Sequence, residues 1–195
     1  MSIFARLRKA LSPVPDWRRG WRVINEPFTG AWQQNKAEAV GDVLTYPTLY
    51  ACIMRIAKDV GKLPFRVVRL TADGIWIAAD LPDVARVLAE PNHYQTPQQF
   101  RESWQLAKLL QGNAYILKQF DAQGRVERLY PLDPCRVMPM VSESGEVFYR
   151  LMTSDTMSLP LVEGQPTLPA RFIIHDREIT LHHPLIGVPP LAAAS

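Results

Sequence analysis

At 195 residues the chain has the length of one or two ordinary domains, and 47% hydrophobic with 21% charged residues is a globular balance that excludes wholesale disorder. Its formal charge of +3 is unevenly placed: residues 1–25 carry Arg6, Arg8, Lys9, Arg18, Arg19 and Arg22 against Asp16, a net of +5 that leaves the remainder at −2. A surface able to neutralise phosphates is therefore excluded from the body and confined to the leader.

In chain order, residues 1–40 read as a basic, tryptophan-rich arm and residues 41–195 as one α+β domain. MSIFARLRKALSP sets Ile3, Phe4, Leu7 and Leu11 at near-helical spacing between arginines, without the apolar core of a secretory signal. The following PVPDWRRGWRVINEPFTGAW has neither helical nor strand period. Trp17, Trp21 and Trp32 need cover, from this domain or from a neighbouring subunit, because each exposes a large apolar area in water.

YPTLYACIMRIAKDVGKLPF is the best helix of the first half, with Leu49, Cys52, Ile53, Ile56, Val60 and Leu63 on one face and Pro64 as its stop. Phe65 to Leu70 and Ile75 to Ile77 flank the turn signal Ala72-Asp73-Gly74 and predict a hairpin. Pro82 to Glu90 reads as a short helix ended by Pro91-Asn92.

Thr96-Pro97-Gln98-Gln99 carries the signature of a capping box with proline at the first helical position. The helix it starts has Phe100, Trp104, Ala107 and Leu110 on one face, with Phe100 and Trp104 expected in the core, and ends at Gly112. Two hairpins follow, Ala114 to Phe120 with Val126 to Leu132 and Arg136 to Val141 with Val147 to Met152. Residues 153–170 read as a loop before a short strand Phe172-Ile173-Ile174. Leu191 to Ala194 looks like the first turn of a helix that the chain does not continue, and the sequence is expected to be truncated.

Cys52 and Cys135 show no CxxC spacing and are expected as reduced thiols of a cytoplasmic product. The longest run without acids or bases, Ile179 to Ser195, contains three prolines, so no spanning helix is expected and a membrane is not a partner.

Chemistry is sparse. Asp59, Asp73, Asp80, Asp83, Asp121 and Asp133 are scattered, with no spacing that pairs two acids and a base. Neither GxGxxG nor GxxxxGK[ST] is present. His175, His182 and His183 beside Asp176 form the one metal-like grouping, but the HxxxxxxHH spacing matches no known ligand pattern and a structural role is expected. Ser103 and Ser158 lack a nucleophile elbow. Gly112-Asn113 reads as a helix stop followed by a polar residue bonding local backbone. No catalytic, cofactor or metal residue is assigned, and the chain is not expected to be an enzyme.

Taken in order, YPTLYACIMRIAKDVGKLPFRVVR, LAEPNHYQTPQQFRESWQLAKLLQGNAYILK, GRVERLYPLDPCRVMP, GEVFYRL and FIIHDREITLHHPLIGVPPLAAA resemble the N-terminal half of portal proteins of long-tailed bacteriophages, over roughly residues 40–195. The resemblance implies a wing-like α+β region with packing helices and antiparallel β hairpins. It further implies a structural subunit of a ring, dodecameric in the full-length family, at one capsid vertex. The implied partners are other copies of the chain, major capsid or scaffolding protein, the large terminase subunit, the head-tail connector and double-stranded DNA passing through. The implied location is the virion, reached from the host cytoplasm during assembly. Stem, clip, tunnel helix and crown of such proteins are not expected in this length, and self-association of the fragment alone is expected to be weak. The alternatives are a non-functional prophage remnant of a portal protein, a DNA-binding module acting through the basic arm, and a hydrolase using His175 or His182.

Overall fold

A computed structural model of the chain describes residues 22–23, 45–152, 167–181 and 183–190. Within these, the strands are β1 Arg22–Val23, β2 Val68–Leu70, β3 Trp76–Ala78, β4 Asn113–Phe120, β5 Val126–Leu132, β6 Val137–Val141, β7 Val147–Leu151, β8 Thr167–Pro169 and β9 Ile173–Arg177. The helices are α1 Pro47–Gly61, α2 Pro82–Ala89 and α3 Pro97–Gln111. The strands form antiparallel sheets in the orders β5-β4-β9, β1-β6-β7-β8 and β2-β3.

β4 is the centre of this arrangement because it is buried on both faces. Ile116 points to a cluster with Val87 of α2, Phe100 of α3 and Leu129, while Tyr115 and Leu117 point the other way, into a core shared with Tyr130, Val137, Tyr149, Leu151, Leu168 and Ile173. That two-sided burial explains why Ala114 to Leu117 is a continuous apolar run rather than an alternating one. The helices thus cover one face of the β5-β4-β9 sheet, and the β6-β7-β8 hairpin system covers the other.

Local chemistry places α3 as its sequence predicts. Thr96 Oγ1 accepts from Gln99 N at 3.2 Å, and Gln99 Oε1 accepts from Thr96 N at 2.9 Å, a reciprocal capping box. Gly112 ends the helix with φ +70°, a conformation costly for residues with a Cβ. Asn92, buried after α2, donates to Leu129 O at 2.9 Å and accepts from Gln95 N, so the Pro91-Asn92 stop also fastens the α2–α3 connection to β5.

The structure corrects several expectations. α1 buries Ile53, Ala57 and Gly61, a line of every fourth residue that ends in two small residues, whereas Cys52, Ile56 and Leu63 are exposed. The small residues decide the facing side because they let α3 come close: a Cβ on Gly61 would lie 2.5 Å from Glu102 Cγ, and Arg101 Nε donates to Gly61 O at 2.8 Å. Trp104 is half-buried rather than fully in the core; its ring meets Phe100 edge-on with centroids 5.7 Å apart, and its indole N–H reaches a carboxylate. Residues 167–169, expected in a loop, form β8 against β7, and the last strand runs on to Arg177. Arg22–Val23, expected to be irregular, pairs with Val141 and Met140 of β6. Trp17, Trp21, Trp32, residues 153–166 of the expected loop, and the helix start at Leu191 lie outside the described residues.

Phe100, 2% exposed, is the aromatic on which the helix layer closes. Phe100→Ala is expected to cost about 3–5 kcal/mol in urea unfolding. Trp76→Ala, on an exposed strand, is expected to change stability by no more than about 0.5 kcal/mol in the same measurement.

Candidate functional site

The polar groups that the structure brings together lie where α3 hands over to β4. Asn113, buried at the start of β4, is held by residues far along the chain. Its Nδ2 donates to Gln111 O at 3.0 Å and to Gly187 O at 2.9 Å, while its Oδ1 accepts from Gly187 N at 2.8 Å. Asn113 therefore closes a two-way bridge to Gly187, and its role is more than the local backbone bonding its sequence neighbourhood predicts.

The backbones at this bridge touch so closely that two glycines are required. A Cβ on Gly112 would lie 2.5 Å from Gly187 O and Val188 C, and a Cβ on Gly187 would run into Gly112 O. Glu178 N donates to Gly112 O and Val188 N to Ile179 O, both at 2.9 Å, and Arg177 donates to Pro184 O. Ile186, 1% exposed, inserts beside Met138, Val141 and Leu185. Residues 183–190 are thus strapped across both sheets, with Pro189 buried beside the glycine contact.

His175 of β9 belongs to the same network. Because Asn113 Oδ1 already accepts from a backbone N–H, it also accepts from His175 Nε2, at 3.1 Å. Nδ1 is then the bare nitrogen and accepts from the Tyr149 hydroxyl at 3.1 Å. The imidazole stacks on Tyr115, with centroids 4.3 Å apart, and burial, with Arg177 nearby, lowers its pKa to about 3. The Tyr115 hydroxyl itself is buried without a hydrogen-bond partner among the described residues, and burial raises its pKa far above the ordinary phenol value. Beside the network, Lys108 lies 3.2 Å from Asp176 Oδ2 and 3.4 Å from Glu178 Oε1, and Trp104 Nε1 donates to the same Asp176 oxygen at 2.8 Å.

The sequence-singled histidines are therefore dispersed in role. His175 is locked as a neutral donor-acceptor, His183 Nδ1 accepts from Leu185 N at 3.1 Å, and His182 lies outside the described residues. Among the described residues, no three His, Cys, Asp or Glu side chains are gathered as a metal would require. Ser103 Oγ donates to Gln99 O within its own helix, and Ser158 is outside the described residues. Cys135 is a free thiol whose pKa is pushed up to about 11 by burial and by Asp133. Asp59 and Asp121, which sit beside Lys62 with Arg55 and beside Arg125, have carboxyls held below the ordinary range in surface helix and turn contacts. No described helix is long and apolar enough to cross a membrane.

A second feature lies on the outside. β2 and β3 form a separate two-stranded sheet, and Val68, Leu70 and Trp76 are all exposed on it. The apolar stretches that flank Asp73-Gly74 already signal the hairpin, but they do not tell which face is covered.

The fold and these features define an α+β protein whose buried polar groups are committed to holding strands and a strap together. A family model described as phage portal protein matches residues 47–195, and the chain belongs to that family. It is 33% identical to Protein BeeE of Escherichia coli (strain K12) over 86 residues, which is 44% of this chain and 54% of that protein. Among solved structures it is similar to a chain in the neck of an empty GTA particle computed with C6 symmetry, with a TM-score of 0.63 and 18% identity, covering 82% of this chain and 42% of that one. A chain in the neck of the native GTA particle computed with C12 symmetry matches with a TM-score of 0.61 and 16% identity, covering 89% and 42%. A chain in the virion of the native gene transfer agent particle matches with a TM-score of 0.62 and 17% identity, covering 99% and 46%. The resemblance read from the ordered sequence blocks is thereby shown, as is the α+β fold class. The chain spans about half the length of the curated relative and less than half of each of these solved chains.

The buried neutral imidazole makes stability depend on pH with a definite sign. The folded pKa is about 3 against 6.5 for a free histidine, so between those values the unfolded chain binds a proton that the folded chain does not. Stability is fully present above pH 6.5 and falls with a limiting slope of about 1.4 kcal/mol per pH unit below it. Urea unfolding of wild type and His175→Gln at about pH 7 and about pH 5 should show this loss in the wild type and a markedly smaller one in the variant; equal losses would mean that His175 is not buried in neutral form.

Proposed function

We propose that this chain serves as a structural subunit of a portal ring at a capsid vertex, contributing its wing-like part. Residues 41–195 form that part and residues 1–40 the basic arm. The reading is carried by the family match over residues 47–195, and the likeness to chains of particle necks supports it at the level of the fold. In this role the chain acts through surfaces and not through a reaction centre. It nucleates shell assembly with major capsid or scaffolding protein, and receives the large terminase subunit. It also leaves a path for double-stranded DNA and meets the head-tail connector.

The physical demands of that role agree with the fold. A subunit repeated around an axis transmits load between neighbours, so its layers must keep their relative placement under stress. Here β4 is packed on both faces, and the strap at residues 183–190 ties both sheets to the end of α3.

The test is to tag the chain in the genome that encodes it and to label purified particles with gold-conjugated antibody for electron microscopy. Label at a single vertex per particle is expected. Particles that lack the chain, or label spread over the shell, would rule the proposal out.

A further inference from the structure

The apolar arc of α1 is wider than the contact that α3 makes with it. α3 takes the line Ile53, Ala57 and Gly61. Beside that line, at successive spacings of three, four, four and three residues, run Leu49, Cys52, Ile56, Val60 and Leu63, a second apolar stripe on the neighbouring flank of the helix. Leu49 and Val60 are half-buried, whereas Cys52 is exposed, Ile56 is 46% exposed and Leu63 62%. A single exposed leucine needs no explanation, but a stripe that follows the helical period over four turns marks a contact surface.

We infer that residues 24–44 of the same chain pack along the Cys52–Ile56–Leu63 stripe and cover α1 from the side that α3 leaves open. This packing is internal to one chain and is independent of the ring reading. Connectivity favours it. Val23 pairs with Met140 of β6, and Thr45 stands directly before Tyr46, the N-cap of α1, so residues 24–44 have to arrive at the end of this helix. Extended, they span about 70 Å. α1 has 15 residues and is therefore about 22 Å long, so the segment reaches every turn of the helix it leads into.

The chemistry of the two surfaces matches. Residues 24–44 carry Phe28, Trp32, Val40, Val43 and Leu44, and Trp32 is one of the tryptophans that need cover. They hold Glu26, Glu38 and Asp42 against Lys36, a net of −2, whereas residues 45–66 hold Arg55, Lys58, Lys62 and Arg66 against Asp59, a net of +3. Arg55 and Lys62 share Asp59, and Lys58 and Arg66 have no ion pair among the described residues. Two other segments fit less well. Residues 1–21 hold Arg6, Arg8, Lys9, Arg18 and Arg19 against Asp16, a net of +4, and would set like charges together. Residues 153–166 join β7 to β8, in the sheet on the opposite side of β4 from the helices.

Photo-crosslinking of the full chain tests this, with p-benzoylphenylalanine in place of Ile56 and an unchanged circular dichroism spectrum to verify the fold. On irradiation of dilute protein, a product of monomer size is expected, with peptide mapping placing the second attachment within residues 24–44 of the same chain. Attachment within residues 1–21 or 153–166, attachment to another copy, or no crosslink would each overturn the inference. Cys52 gives a second reading without a bulky probe. In a Cys135→Ser background it is the one thiol of the chain, and its alkylation by a maleimide is expected to be about tenfold faster after Phe28→Ala with Trp32→Ala than before. Equal rates would mean that the stripe is not covered by this segment.

Discussion

The contact between Gly112-Asn113 and Gly187 is the constraint on which the rest of the structure hangs. It joins positions 74 residues apart through both hydrogen-bonding groups of one buried amide and through a backbone approach too close for any side chain. Each side of it has a separate job. Gly112 terminates α3 in the left-handed conformation, Asn113 begins β4, and Gly187 carries the strap that seats Ile186 beside the β6–β7 sheet. Because β4 is the strand with cores on both faces, fixing its first residue fixes the helix layer and the second sheet with respect to each other. Losing the amide would leave buried backbone groups of Gln111 and Gly187 unpaired, a cost beyond that of the hydrogen bonds alone.

His175 shows how the same constraint governs a group that looks chemical. In sequence it is a histidine next to an aspartate and near two further histidines, a grouping that invites a metal or a base. In the fold it faces Asn113 and Tyr149 and lies flat on Tyr115. Burial keeps it neutral, and both nitrogens have partners, so its chemistry is spent on orienting Asn113. Asp176, the apparent second ligand, points to Lys108 and Trp104 of α3 and pins the helix to β9 from the other side.

What could be read from the sequence were features written within a few neighbouring residues. The capping box at Thr96 and Gln99, the stop at Gly112 and the three hairpin turns all depend on local backbone chemistry, and they stand where they were expected. The facing side of α1 was not legible in the same way. Apolar periodicity weights Ile56 and Cys52 as heavily as Ile53, while the actual contact is decided by the smallness of Ala57 and Gly61, which matters only once α3 is opposite. β8 was hidden because Thr-Leu-Pro is too short to show a period and ends in a residue that strands usually avoid. The Asn113–Gly187 bridge had no local signal at all, since each residue alone reads as an ordinary turn or cap; the ordered family blocks held both ends without revealing that they meet.

Native-state hydrogen exchange tests the account at its centre. If the bridge is the constraint described, the amides of Gly187 and Glu178, which donate to Asn113 and Gly112, exchange only with the global opening that also releases Ile116 of β4. Exchange of Gly187 and Glu178 at rates typical of loop amides, with Ile116 still protected, would contradict it, because the strap would then come away while the layers stayed in place.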